Sequence, residues 1–490
     1  MNPLDKTCVT MQKMLIGGKW VAAATGDSIS VYNPATGEVV DKIPAASPAD
    51  VTTAISAACA AFPAWARTPA VKRAALLDSS RDLLLSRREE IGQSITKENG
   101  KPLRQSRSEI IAAADFMRWY AEEGRRSYGE WIPDPRQDRR LLTIRQPIGV
   151  AAIITPWNFP VYMVARAATA ALAAGCTVVI KPSRQTPLAA LALARAMNDG
   201  GVPPGVLNMV TGDSSAIGQV LLEDQRVRMI SFAGSLETGK SLMREAATHV
   251  KRVSLELGGH APFIVMSDAA LEQALDGLMA AKFQNAGQTC IAPNRVYVHS
   301  SLLEDFLHSL AARVKKLQVG YGLDPKIDVG PLINRDALEK VSHHVNDAVS
   351  QGARLLAGGH RLTSPSLARG NFYAPTILAD VTSQMLITCQ ETFGPVIAVT
   401  AFESDSQAIK QANSSRYGLA AYLYTRDISK AIRISEQLEV GMVGVNDTRI
   451  AAVEAPFGGV KLSGVGREGG REGLAAFLET KQIAFRVEPT

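Results

Sequence analysis

Between residues 147 and 256, short apolar runs alternate with amphipathic stretches. Continuous Val/Ile-rich runs bounded by Gly or Pro read as strands buried on both faces. They predict strands over Gly149–Ile154, Thr177–Ile180, Val206–Val210 and Met229–Phe232, separated by helices near 161–174, 187–199, 214–223 and 237–248. This alternation argues for a parallel sheet covered by helices, as in nucleotide-binding folds. A second α/β set begins at Ala261-Pro-Phe-Ile-Val-Met266 and runs to roughly 450, with no low-complexity linker before it, so any boundary near 256 is compact. Upstream, Leu15–Trp20 and Tyr32–Gly37 read as short strands joined by Gly and Asn-Pro turns. From Ser47 to about Glu123 the period is helical, opening with Ser47 as cap and Pro48 in the first turn.

Composition narrows the class. The chain has 490 residues, 46% of them hydrophobic and 20% charged, which suits a soluble globular protein of two or three domains. The net charge of +6 is spread along the chain without a concentrated basic patch, which argues against a nucleic-acid partner. Five scattered cysteines give no disulfide framework and no C-x-x-C pair, and seven histidines show no ligand spacing, so no metal is expected. The amino terminus lacks an apolar signal core and no apolar run reaches membrane-spanning length, so the expected location is the cytoplasm.

Three segments carry chemistry. Cys290 closes Phe283-Gln-Asn-Ala-Gly-Gln-Thr-Cys290, where a turn or helix start is expected to lower the thiol pKa. Glu256 ends an apolar run in Leu255-Glu256-Leu-Gly-Gly259, as a carboxylate at a strand end facing a cleft. Asn158, in Thr155-Pro-Trp157-Asn158-Phe-Pro160, follows the strand ending at Ile154 and can donate to a developing oxyanion. A thiolate that attacks a carbonyl, with a carboxylate that then activates water against the thioester, suggests oxidation or hydrolysis through an acyl-sulfur intermediate. The rival classes are a cysteine esterase or acyltransferase without redox chemistry, and a non-catalytic binding protein that keeps the fold.

From Trp20 to about Lys481 the chain resembles the NAD(P)-dependent aldehyde dehydrogenase family, above all in the strings around Cys290, Glu256 and Asn158. The resemblance implies a Rossmann-type nucleotide-binding domain (1–125 with 146–256), a catalytic domain (257–451) and a small strand element for oligomerisation (126–145 with 470–490) in a homodimer or homotetramer. It also implies NADP or NAD held by Trp157, Lys181, Ser183, Arg184, Gly234, Ser235, Glu391 and Phe393. Gly234 and Ser235 stand in Phe232-Ala-Gly234-Ser235, which follows a strand and opens a helix, as suits a pyrophosphate. At the position of Arg184, relatives restricted to NAD often carry Glu. An arginine there can pair with a 2′-phosphate, so NADP is expected to be accepted.

Within the family the likeness is greatest to the succinate-semialdehyde dehydrogenases, in Ala121–Arg125, Arg145–Gly149, Ala170–Cys176 and Lys282–Ala286. That group grips a substrate carboxylate with two arginines, carried over here onto Arg166 and Arg295, with Arg449 near the place of a lost serine at Ala451. The substrate expected is a short acidic aldehyde, succinate semialdehyde first, with glutarate semialdehyde and sulfolactaldehyde as alternatives. Ala167 replaces a lysine common in relatives, which leaves open whether Glu468 assists Glu256 or merely faces solvent.

Overall fold

The computed structural model describes residues 11–488; Cys8 and the Met1–Lys6 stretch lie outside the described residues. The anticipated strands form the centre of an eight-stranded sheet, in the order Lys19–Val21, Met14–Ile16, Leu207–Met209, Thr177–Lys181, Val150–Ile154, Val227–Ala233, Arg252–Glu256 and Gly464–Val465. The five strands from Leu207–Met209 to Arg252–Glu256 are parallel, and the outer ones are antiparallel. Their residues are buried on both faces, which is why the sequence reads as unbroken apolar runs rather than alternation.

From Val150–Ile154 the chain winds outward through two strands, then returns to the other side at Val227–Ala233. The reversal lies between Val150–Ile154 and Val227–Ala233, and crevices for nucleotides form at the carboxyl ends of such a pair. The segments that leave those ends are Thr155–Phe159 and Gly234-Ser235.

Helices cover this sheet where the periodicity placed them: Pro160–Ala174, Pro187–Asp199, Ser214–Glu223 and Leu236–Thr248. Pro160 and Pro187 each open a helix, where the missing N–H costs nothing. The long helical stretch upstream is four helices, the first being Pro48–Arg67. A capping box starts it: Ser47 Oγ accepts from Asp50 N at 3.3 Å and the Asp50 carboxylate accepts from Ser47 N at 2.8 Å.

Between Glu256 and Ala261 the chain leaves this sheet for a seven-stranded one, ordered Arg354–Ala357, Thr376–Ala379, Val396–Phe402, Pro293–His299, Ala261–Val265, Ala420–Tyr424 and Met442–Val445. All its neighbours are parallel except Arg354–Ala357 with Thr376–Ala379. The amino ends of Ala261–Val265 and Pro293–His299 lie side by side, Ala261 opposite Pro293. That juxtaposition brings the loop before Pro293, with Cys290, to the carboxyl end of Arg252–Glu256.

A third sheet of Trp131–Ile132, Arg139–Pro147 and Leu478–Arg486 stands apart, the last two strands paired over nine residues. Trp131 and Phe485 on it are exposed. Residues 470–475, expected to join it, instead form a helix packed on Pro160–Ala174. The chain before it returns to the first sheet, where Gly464 pairs with Glu256.

Candidate active site

A cavity of about 250 Å³ opens where the two sheets meet, walled by Trp157, Asn158, Arg166, Gly234, Ser235, Glu256, Cys290, Glu391, Phe393 and neighbours that include Lys340 and Phe457. Segments far apart in sequence are thus combined in one space. Close approach of backbones makes it possible: a Cβ on Gly259 would collide with the Cys290 carbonyl oxygen, and one on Gly458 (φ 156°) would stand 2.7 Å from Glu256 Oε1.

Cys290 does not begin a helix. It follows the short helical turn Gln284–Gly287 at the end of Leu271–Phe283. Burial pushes its thiol up to about 12, opposed by the Arg166 guanidinium. The lowered pKa expected where a turn or helix starts is therefore corrected, although Cys290 does stand in a turn. Desolvation disfavours the thiolate, and the compensating positive charge comes from Arg166.

Glu256 is the last residue of its strand and is buried, with neither carboxylate oxygen hydrogen-bonded to the protein. Burial raises its pKa well above the usual carboxylate range and the charge of Glu468 raises it further, while Arg166 and Arg467 pull it down. A buried carboxyl with free lone pairs and a raised pKa is suited to taking a proton from water near neutrality.

Asn158 donates from Nδ2 to the Gln288 carbonyl at 3.1 Å, which fixes the orientation of the amide, because its oxygen could not face another carbonyl. The second N–H is left for the cavity that Asn158 shares with Cys290.

Arg166 stands on Pro160–Ala174, about 1% exposed. It is ion-paired with Glu468 and lies 4.3 Å from the centroid of the Phe457 ring. Burial works against its charge, but Glu468, Tyr162, Glu256 and Cys290 more than reverse this, so the guanidinium stays charged. Glu468 is buried, not a surface group.

Arg295 does not reach the cavity, and its expected grip on the substrate is withdrawn. Its guanidinium donates to the carbonyls of His260, Gln411 and Ala412, each at 3.0 Å, and to Tyr297 Oη at 3.3 Å. A fork occupied by three main-chain carbonyls has a packing task.

Arg449 is about 90% exposed and paired with Asp447 at 3.1 Å. It borders a second, larger groove of about 770 Å³ that reaches Ile291, next to Cys290, and Ala451.

The elements expected to hold a dinucleotide converge on the switch point. Ser235 caps Leu236–Thr248, its Oγ accepting from Thr238 N at 3.4 Å, so the amino end of a 13-residue helix faces the cavity. Glu391 Oε1 accepts from Gly259 N at 3.1 Å, and burial raises its pKa to about 7 against that bond and the charges of Lys340 and Lys282. Its other oxygen leaves no room for a side chain at Gly258, where a Cβ would sit 2.6 Å away. The Phe393 ring stands edge-on to Trp157, centroids 5.6 Å apart.

Further along, Lys181 hydrogen-bonds Ser214 Oγ, and burial lowers its pKa to about 8. Ser183 Oγ accepts from Gln185 N at 3.2 Å. Arg184 is exposed and stands 4.0 Å from Asp213, which caps Ser214–Glu223. The helix end at Ser235, the Glu391 carboxylate and the basic pair Lys181 and Arg184 together fit the phosphates and hydroxyls of a dinucleotide.

The sequence reading missed Phe457, Lys340 and Tyr162. Phe457 lies beyond the segment read as the second α/β set, and no spacing links it to Arg166.

Comparison with known proteins agrees with this architecture. The aldehyde dehydrogenase family pattern matches residues 20–483. The chain is 46% identical to the glutarate-semialdehyde dehydrogenase of Pseudomonas putida (97% of this chain, 98% of the relative). It is equally identical to the NADP(+) succinate-semialdehyde dehydrogenase GabD of Escherichia coli (98% and 99%) and to a 3-sulfolactaldehyde dehydrogenase of Pseudomonas putida (99% and 99%). The crystal structure of an Escherichia coli NADP-dependent enzyme superposes with a TM-score of 0.96 at 45% identity, covering 97% of this chain and 98% of that one. The chain belongs to the aldehyde dehydrogenase family. It is an oxidoreductase that converts an aldehyde to the carboxylic acid.

Proposed function

We propose that the enzyme oxidises a short aldehyde bearing a second, anionic group, with NADP or NAD as acceptor. Succinate semialdehyde is the first choice, and glutarate semialdehyde and 3-sulfolactaldehyde are close alternatives, as the names of the relatives also suggest. The observation that carries this reading is Arg166, a charged guanidinium buried in the same small cavity as Cys290, Glu256 and Asn158. A carboxylate or sulfonate tail set on that guanidinium fixes the aldehyde beside the thiol. Arg449, at the mouth of the neighbouring groove, adds long-range attraction for anions.

Cys290 gives up its proton to Glu256 and its sulfur bonds to the carbonyl carbon. The resulting oxyanion is met by the Asn158 carboxamide and the Cys290 backbone N–H. When bound, the nicotinamide supplies the acceptor for the hydride and its electron pair, which the protein alone lacks. Trp157, Gly234, Ser235, Glu391 and Phe393 would hold its half of the dinucleotide, and Lys181, Ser183 and Arg184 the adenosine half. Glu256 releases the thiol proton to solvent, and its free carboxylate then takes a proton from water, whose oxygen attacks the thioester; the C–S bond breaks, the sulfur leaves as thiolate and the acid departs.

Four described cysteines, Cys59, Cys176, Cys290 and Cys389, are unpaired, as suits a reducing cytoplasm. The projecting sheet with Trp131 and Phe485 suits a homodimer or homotetramer. The deciding experiment is a panel of short aldehydes with terminal carboxylate, sulfonate or no charge, assayed with both cofactors. Anionic aldehydes are expected to have the highest kcat/KM, and preference for neutral ones sinks the tail assignment.

A further inference from the structure

A buried ionic group lies behind the cavity without lining it. The turn Gly100-Lys101-Pro102 joins the helices Arg88–Asn99 and Leu103–Glu123. The Lys101 and Glu109 side chains are both wholly buried and form an ion pair of 2.7 Å. Lys101 Nζ also donates to the Asn158 carbonyl at 2.6 Å and stands 3.9 Å from the centroid of the Phe159 ring. Glu109 Oε1 accepts from Val161 N at 2.9 Å and Tyr162 N at 3.3 Å, the first turn of the helix that carries Arg166.

The neighbouring bonds hold the same loop. Asn99 Nδ2 donates to the Trp157 carbonyl at 3.1 Å, and Asn285 Nδ2 to the Asn158 carbonyl at 3.1 Å. Gln105 Oε1 accepts from Asn285 N at 2.8 Å, which ties the same turn region to the Cys290 loop. Burial pulls the Lys101 ammonium down and Glu109 holds it up. A buried ion pair of this kind is often no more stabilising than apolar residues of the same volume, so stability alone does not explain it. Its acceptors do: one is the main chain of the oxyanion candidate, the other the clamp on the helix of the substrate candidate.

We propose that Lys101 and Glu109 are positioning residues, which lock the Asn158 carboxamide against the Cys290 loop before the aldehyde arrives. The inference rests on the reading of Asn158 as an oxyanion donor. A preorganised donor avoids reorientation during the reaction, and that benefit exists only while the donor is present. Lys101 therefore acts through Asn158, and the two substitutions are non-additive.

The test is a double-mutant cycle of Lys101→Met and Asn158→Ala, read as the single-turnover burst of reduced cofactor, with KM, cofactor Kd and Tm as controls. Lys101→Met is expected to slow the burst by about 10- to 100-fold in the parent, and by less than about 2-fold in the Asn158→Ala background. KM and Kd are expected to stay within about 3-fold. An equal loss in both backgrounds overturns the proposal while leaving the Asn158 reading intact. An undiminished burst in Asn158→Ala alone overturns both. Should Lys101→Met fail to fold, Glu109→Gln, which keeps the shape and the acceptor for Val161 N–H, enters the same cycle. The same non-additivity is expected and the same additive result refutes.

Discussion

Arg166, in the wall of the cavity that holds Cys290 and Glu256, is ion-paired with Glu468. Three carboxyl or thiol groups therefore share the field of one guanidinium. An anionic substrate tail must share it too, so the charge state of Glu468 bears on both binding and base strength.

Removing that charge moves the pH profile in a defined direction. The folded-state pKa of Glu256 is raised, first by burial and then by Glu468. A general base works when deprotonated, so activity rises with pH through that pKa. Glu468→Gln removes one raising cause and leaves Arg166 free to lower the pKa further. The acid limb of kcat against pH is expected to move to lower pH, and KM for anionic aldehydes to fall. An alkaline shift would exclude the assigned coupling.

The free thiol is predicted to be sluggish. With its pKa pushed up to about 12, Cys290 is almost all thiol at neutral pH. Its alkylation by iodoacetamide, followed by mass spectrometry of the Cys290 peptide without cofactor, should accelerate about tenfold per pH unit from 7 to 9. Arg166→Met should slow it at every pH. A plateau below pH 8 would show a thiolate already formed, contrary to the burial argument.

Cofactor choice is expected to turn on Arg184. It is exposed and stands 4.0 Å from the Asp213 carboxylate, so it can swing to a 2′-phosphate. Arg184→Glu should lower kcat/KM with NADP by about 10- to 100-fold, the worth of one charge-assisted bond, with much less effect on NAD. Equal changes with the two cofactors would remove Arg184 from the site.

The two buried arginines should separate cleanly. Arg295→Met removes the Arg295 donor from the buried His260 and Ala412 carbonyls and should cost about 2–4 kcal/mol of stability, seen as a lower Tm, with KM for anionic aldehydes unchanged in the folded fraction. Arg166→Gln should instead raise that KM by about tenfold or more. A selective KM effect in Arg295→Met would restore it to the substrate site.

Much of this was legible in the chain. Val150–Ile154 and Thr177–Lys181 are buried on both faces, so their apolar runs stand out without alternation. Pro160 and Pro187 mark helix starts because proline is tolerated there and almost nowhere else in a helix. Cys290, Glu256 and Asn158 could be singled out because the strings around them resemble family motifs, and Gly and Pro beside them mark turns at strand ends.

Other features had no local signal. Arg295 next to a strand start reads the same whether its fork meets a substrate or the carbonyls of Gln411 and Ala412, and those lie over a hundred residues away. Glu468 looked as much a surface group as a site group, because only folding sets it against Arg166. The thiol pKa was misjudged since burial, the largest cause, is a property of the packed cavity.

Local backbone preference and the period of apolar residues are written in the chain itself, and they determined the strands, the helices and the two-part α/β plan, while the family motif strings marked the three candidate reactive residues. Tertiary structure decided which charges meet. It aligned Ala261 with Pro293, so that the Cys290 loop arrives at Glu256, and it gave Arg166 to the cavity and Arg295 to the core. The reason is physical: propensities act over a few residues, whereas desolvation and Coulomb energies depend on distances in space that no spacing along the chain encodes.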